Sequence, residues 1–250
     1  MKNTKWTREE ILTELNEFKN LYENRPIIEN EGGMKSPHMF PAWFVVKKLQ
    51  PKWLIESGVW YGLGTWFFES ASPESKIISI DPCLNFRKYI SDKVRYQTKD
   101  FLETDWQSML DPAETLVFFD DHQNFIERLK HAYSLGFKRM VTEDNYPYQQ
   151  GDCYTPKKIL SNKKYVIDNA GNRNWFDPVN EDLEYFKENV KVYQEMPPLF
   201  KAETTRWGDE WDEENYPTPE AILSEVDKIK YPLFDLEKKD YTWLCYIEMK

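Results

Sequence analysis

Glu56-Ser57-Gly58-Val59-Trp60-Tyr61-Gly62-Leu63-Gly64-Thr65 follows directly on the apolar run Trp53-Leu54-Ile55 and leads into Trp66-Phe67-Phe68. An apolar run, a glycine-rich turn and a second apolar run read as a strand bending sharply into a helix. Glycines allow such a turn and let a ligand come close to the main chain. The helix that follows presents free N–H groups and the positive end of its dipole, which suits a carboxylate. The spacing is Gly-x-x-x-Gly-x-Gly and not the Gly-x-Gly-x-x-Gly of dinucleotide binders, so a pyrophosphate is disfavoured here.

Outward from this turn, strands and helices alternate. Lys76 to Asp81 reads as a second strand ending in an acid, Val94 to Thr98 as a third, and Thr115 to Asp120 as a fourth. The fourth is almost wholly apolar, as buried parallel strands are. A helix from Asn124 to Leu135 stops at Gly136, and Phe137 to Thr142 forms a fifth strand followed by Glu143-Asp144. This rhythm predicts an α/β fold with a doubly wound, mostly parallel sheet. Upstream, Thr7-Arg8-Glu9-Glu10 reads as a capping box opening an amphipathic helix with Ile11, Leu12, Leu15, Phe18 and Leu21 on one face. Pro26 ends it, a loop runs from Asn30 to Ser36, and a short helix continues through Ala42 to Leu49. Residues 1–50 are thus an N-terminal helical segment and 51–250 the main domain. After Asn145 the rhythm lapses, and residues 146–218 are expected to form an inserted, aromatic-rich cap with a helix near Glu181 to Val190. Ala221 to Ile229 reads as helical and Thr242 to Ile247 as a closing strand.

The turn resembles the first motif of class I S-adenosylmethionine methyltransferases: an acid, one residue, then Gly-x-x-x-Gly. Glu56, Gly58 and Gly62 match it, with Gly64 and Thr65 as an extension, and Glu56 to Trp60 is similar to the macrocin O-methyltransferase group. The resemblance, which covers roughly residues 50–147, implies a Rossmann-like sheet of seven strands with S-adenosylmethionine held at this turn. Asp81 would then accept both ribose hydroxyls, and Asp100-Phe101, after the third strand, would flank the adenine. Either acid would serve equally as a helix N-cap.

Asp120-Asp121-His122 and Glu143-Asp144-Asn145 both sit at the carboxyl ends of strands, where open α/β sheets bind ligands. Oxygen ligands of this kind suit Mg²⁺ or another hard divalent cation, whose charge would relieve their mutual repulsion. Metal-dependent O-methyltransferases of the catechol, macrocin and cephalosporin-hydroxylase-like groups have a similar layout. The resemblance implies Asp120, bordering the cofactor, as first ligand, with Asp144 and Asn145 as the pair. A second register uses Asp121 with Glu143 and Asp144. His122 is the first candidate for general base and Asp121 the second.

Tyr146, Tyr148, Tyr154, Trp175, Phe176, Trp207, Trp211 and Tyr216, with Arg173 and Arg206, fall in the expected cap. Aromatic faces among polar groups suit a sugar or polyol, so the expected acceptor is a hydroxyl of a carbohydrate or glycosylated small molecule. A net charge of −10 argues against nucleic acid or an anionic membrane as partner. Three separated cysteines, no apolar leader and no long apolar run point to a cytoplasmic protein. The amphipathic N-terminal helix leaves a homodimer contact open.

Overall fold

A computed structural model describes the chain except residues 3, 149, 162–163, 168–172, 177–179 and 215; residues 164–167 and 173–176 are described as backbone. The side chains of Arg173, Trp175 and Phe176 therefore lie outside the described residues. The chain opens with α1 (Arg8–Thr13), α2 (Leu15–Glu23) and α3 (Ser36–Leu49). The capping box forms as expected: Thr7 accepts from the Glu10 N–H while the Glu10 carboxylate accepts from the Thr7 N–H. The helix it starts breaks at Glu14, however, and Leu12 is left 43% exposed. A single apolar face across Leu12 and Leu15 needs an unbroken helix, which the chain does not build.

The sheet contains β1 (Trp53–Ser57), β2 (Lys76–Ile80), β3 (Arg95–Gln97), β4 (Thr115–Phe119) and β5 (Arg139–Thr142), paired parallel with one another. A separate two-stranded ribbon pairs β6 (Lys164–Ile167) with β7 (Arg173–Phe176). β8 (Val190–Glu195) and β9 (Cys245–Met249) complete the main sheet, in the order β3-β2-β1-β4-β5-β9-β8, with β9 antiparallel to both neighbours. The expected seven-stranded, mostly parallel sheet is thus present. The helices α4 (Leu63–Ala71) and α5 (Phe125–Ser134) connect parallel strands, followed by α6 (Pro156–Leu160), α7 (Asn180–Asn189) and α8 (Pro232–Leu236).

Successive residues of each central strand are buried on opposite faces. Leu54, Phe118, Val141 and Tyr246 pack under α2, α3 and α4, with Phe18, Trp43, Phe67 and Phe68. Ile55, Val117, Phe119, Met140 and Ile247 pack under α5 and α7, with Phe101, Trp106, Leu129 and Phe186. Burial on both faces explains why these strands are apolar throughout. The N-terminal segment shares the first of these cores.

Residues 146–218 are not all cap. They supply β8, whose Lys-Val-Tyr-Gln alternation follows α7 too closely to stand out as a strand. The helix expected over Ala221 to Ile229 shrinks to a 3₁₀ turn at Glu225–Ile229, because Ser224 and Asp227 cap it late and Pro232 opens the next helix. Tyr146 and Tyr216 are buried with Tyr241 and Trp243, against which Trp211 stacks at 5.1 Å between ring centroids, and Tyr154 joins the core beneath α5. For these rings packing, and not a ligand face, is the role the structure shows.

The strand order reverses between β1 and β4, and there the segments leaving the two strands run close together. Gly58 donates to the Ile80 carbonyl at 2.9 Å while Asp120 donates to the Ser57 carbonyl at 2.7 Å. A Cβ on Gly58, which has φ +103°, would lie 1.9 Å from the Asp120 carbonyl oxygen. Gly58→Ala should therefore destabilise the chain by about 3 kcal/mol or more, through overpacking added to backbone strain. Urea denaturation checks this, and a loss under about 1 kcal/mol would show that the close approach relaxes easily.

Candidate active site

Gly58, Val59 and Trp60 from the turn after β1, Asp81 after β2, Asp100 after β3 and Asp120 after β4 line a cleft of about 320 Å³. It lies at the carboxyl ends of the strands and at their reversal, the place an open α/β sheet reserves for ligands. A larger groove of about 530 Å³ between the N-terminal segment and residues 193–197 holds none of these acids.

Asp81 fastens two sides of the cleft. One oxygen accepts the Val59 and Trp60 N–H groups at 3.0 and 3.1 Å, and the other accepts the Cys83 N–H at 2.8 Å. Trp60 sits at φ +49°, and its indole N–H donates to the Glu31 carbonyl at 2.9 Å. That bond brings Gly32 and Gly33 into the cleft wall. No local pattern points to them, since the contact spans 29 residues.

Glu56, Gly64 and Thr65 lie on the inner side of the turn and do not line the cleft. Glu56 is fully buried and accepts the Thr65 and Ser79 hydroxyls at 2.6 and 2.5 Å. Burial pushes its pKa up to about 7 despite these bonds. Gly64 is needed for clearance, because a Cβ would stand 2.8 Å from the Glu56 carboxylate. Gly62 caps α4 at φ +87°. The motif residues thus divide between shaping the turn and facing a ligand.

Asp100 is the helix cap that the sequence also allowed. It accepts the Leu102 N–H, and both its oxygens take a fork of bonds from Arg128 at 2.6 Å, which holds its pKa below the usual carboxylate range. An Asp100 so engaged has little left for an adenine amine. Phe101 is a correction: it is buried among Trp106, Phe119 and Phe137 in the core beneath the sheet and is absent from the cleft wall. Asp121 is held in the same network, accepting the Ser57 hydroxyl at 2.7 Å beside Arg128 at 3.1 Å. That placement makes it a poor base.

The acids after β4 and β5 do converge. Asp120, His122 and Asp144 each offer a ligand atom, and these atoms lie within 4.8 Å of one another. Asp144 is 3% exposed, and among the described residues no N–H or hydroxyl group donates to its carboxylate oxygens, which lie beside the Glu143 carboxyl. Burial, then the nearby Asp144 and Asp121, pushes the Asp120 pKa well up. Burial, Asp144 and Asp120 do the same for Glu143. Three carboxyls crowded this way call for a cation, a proton or both.

Asn145 is a second correction. Its amide donates to the Tyr193 hydroxyl and the Trp243 carbonyl, and its oxygen accepts the Lys157 N–H, so every polar atom faces inward. Asn145 fastens β5 to its surroundings. His122 is the third. Its Nδ1 lies 3.0 Å from Asp152 and 3.6 Å from Asp144, and these partners, Asp152 foremost, raise its pKa to about 10. With no cation present it is an imidazolium at neutral pH and accepts no proton.

His38, from α3, joins the site from behind. Its Nε2 meets the Asp240 carbonyl, and its Nδ1 lies 3.2 Å from Glu143, which also accepts the Thr242 hydroxyl at 2.6 Å. Burial keeps the ring neutral. With Nε2–H donated to a carbonyl, Nδ1 is left as a buried acceptor facing the Glu143 carboxyl. Arg206 donates to the Tyr146 hydroxyl at 3.1 Å and adds positive charge near Glu143.

No family model matches the sequence. No curated protein matches it either. Solved structures are similar in part. CmcI in its apo form is 17% identical over 63% of this chain and 64% of that chain, with a TM-score of 0.45. A CmcI structure with Mg and SAM is 19% identical over 44% of this chain and 53% of that chain, at 0.38. The SAH-bound Podospora anserina methyltransferase PaMTH1 is 13% identical over 58% and 74%, at 0.39. The chain thus spans between about half and two thirds of the length of the CmcI structures it matches. At such values the chemistry has to be read from this chain's own residues.

Two titrations should be separable in cation-free protein. The His122 pKa rises from 6.5 to about 10 on folding, so its stabilisation is complete below pH 6.5 and lost as pH rises toward 10. The Glu56 pKa rises from 4.5 to about 7, so its contribution is complete below pH 4.5 and lost as pH rises through 7. Thermal melts in EDTA should show His122→Asn flattening the upper window and Glu56→Gln the lower. Unchanged slopes would mean that neither group is placed as described.

Proposed function

We propose that this chain is an S-adenosylmethionine-dependent O-methyltransferase that requires a divalent cation and methylates a hydroxyl of a sugar or glycosylated small molecule. The observation that carries the reading is the Asp144 carboxylate, buried, with no N–H or hydroxyl donor among the described residues, and facing Asp120 and His122 beside the glycine-turn cleft. A bare buried carboxylate is costly, and a cation is the partner its surroundings suit.

In this reading the Gly58 to Gly62 turn and the start of α4 receive the methionine end of the cofactor, and Asp81 stands where a ribose would lie. Asp120 and Asp144 hold the cation, with Glu143 behind them. A bound divalent ion would lower the pKa of a coordinated hydroxyl. The chain's own contribution is orientation: β1 and β4 are in fixed register, so the donor turn and the Asp120 ligand keep one spacing. Trp207, 46% exposed and packed edge-on against Tyr146, offers a ring face for a sugar beside Arg206.

Calorimetry with S-adenosylhomocysteine should show binding, weakened about tenfold or more in Asp81→Ala, which loses two turn-holding bonds. Asp144→Asn should keep that affinity within about threefold while reducing methyl transfer about 100-fold or more. EDTA should abolish transfer and leave S-adenosylhomocysteine bound. Transfer that survives EDTA would remove the cation from the mechanism, and failure to bind S-adenosylhomocysteine would end the methyltransferase reading.

A further inference from the structure

The geometry points to His122 as a direct ligand of the cation, completing an Asp120–His122–Asp144 site that prefers a transition-metal dication such as Mn²⁺ or Co²⁺ to Mg²⁺. This rests on the cation-dependent reading above but differs from an all-oxygen site. The next carboxamide in sequence, Asn145, has every polar atom committed elsewhere. Asp121 is committed to Ser57 and lies beside Arg128. Among the described residues, the set whose donor atoms fall within 4.8 Å of one another is two carboxylates and one imidazole.

Two further observations place His122 in that role. The Asp144 carboxylate is buried and aimed into the cluster with no N–H or hydroxyl donor among the described residues, and its contact with His122 Nδ1 is 3.6 Å, too long for a hydrogen bond. The two groups face one gap without satisfying each other. His122 also sits at φ +53°, and its Nδ1 lies 3.0 Å from Asp152; with Nδ1 kept on Asp152 the nitrogen left for a cation is Nε2, and Asp152 would orient the ring as carboxylates commonly do in metal sites. Imidazole nitrogen favours later first-row dications over Mg²⁺, which takes oxygen ligands and keeps its water.

The experiment uses the whole chain loaded with Mn²⁺ in the absence of cofactor, read by pulsed EPR, with S-adenosylhomocysteine binding measured on the same samples. Wild type is expected to show ¹⁴N coupling from a directly bound imidazole and to bind Mn²⁺ at least about tenfold more tightly than Mg²⁺. In His122→Asn, which tolerates the left-handed backbone, the coupling should vanish and the Mn²⁺ preference should narrow. Asp152→Asn should keep the coupling and weaken Mn²⁺ binding about tenfold. The inference is overturned by Mn²⁺ bound without ¹⁴N coupling, by coupling that persists in His122→Asn, or by no Mn²⁺ binding at all. S-adenosylhomocysteine binding in those same samples would show that the donor-site reading survives.

Discussion

The parallel pairing of β1 with β4 is the constraint on which the site depends. Ser57 stands opposite Phe119, so the glycine turn and the Asp120-Asp121-His122 segment leave the sheet side by side. The two are so close that Gly58 has no room for a side chain beyond the Asp120 carbonyl. A one-residue slip would exchange the faces of both strands and bury the wrong side chains in two cores at once. Apolar burial therefore fixes the distance between the ligand turn and the acid cluster, and the Ser57 hydroxyl, donating to Asp121 at 2.7 Å, ties the two segments side chain to side chain.

Electrostatics then divides the carboxylates of the site into two groups. Asp81, Asp100 and Asp121 are satisfied by main-chain N–H groups, by Arg128 and by Ser57, and they shape the cleft. Asp120, Glu143 and Asp144 crowd together under burial, with His38, Thr242 and the imidazolium of His122 as partial relief. The first group has its hydrogen-bond partners in place with no ligand present. The second is short of positive charge, and that imbalance is what gives the site a chemical direction.

Most of the parallel sheet was legible because its strands are short apolar runs followed by glycine or acid, as at Ile55-Glu56 and Phe119-Asp120. Local signals failed where the tertiary context decides. β8 hides in a polar alternation directly after α7, and Phe101 follows a strand yet turns inward to the core. Asn145 follows the fifth strand as a metal pair would, but its amide is taken by Tyr193 and Trp243, which lie far along the chain. Gly32, Gly33 and His38 reach the site from the N-terminal segment, and no spacing in the sequence announces contacts of that range. The convergence of Asp120 and Asp144 was legible because both follow neighbouring parallel strands, whose ends must lie together.

The account stands on a methyl donor lying beside a cation held by Asp120 and Asp144. Its most direct measurement is the NMR relaxation of ¹³C-methyl-labelled S-adenosylmethionine bound to the protein, with and without Mn²⁺. The account predicts that Mn²⁺ broadens the bound methyl resonance severely, and that Asp144→Asn restores a sharp signal while the cofactor stays bound. A bound methyl signal untouched by Mn²⁺ in the wild-type protein would contradict it.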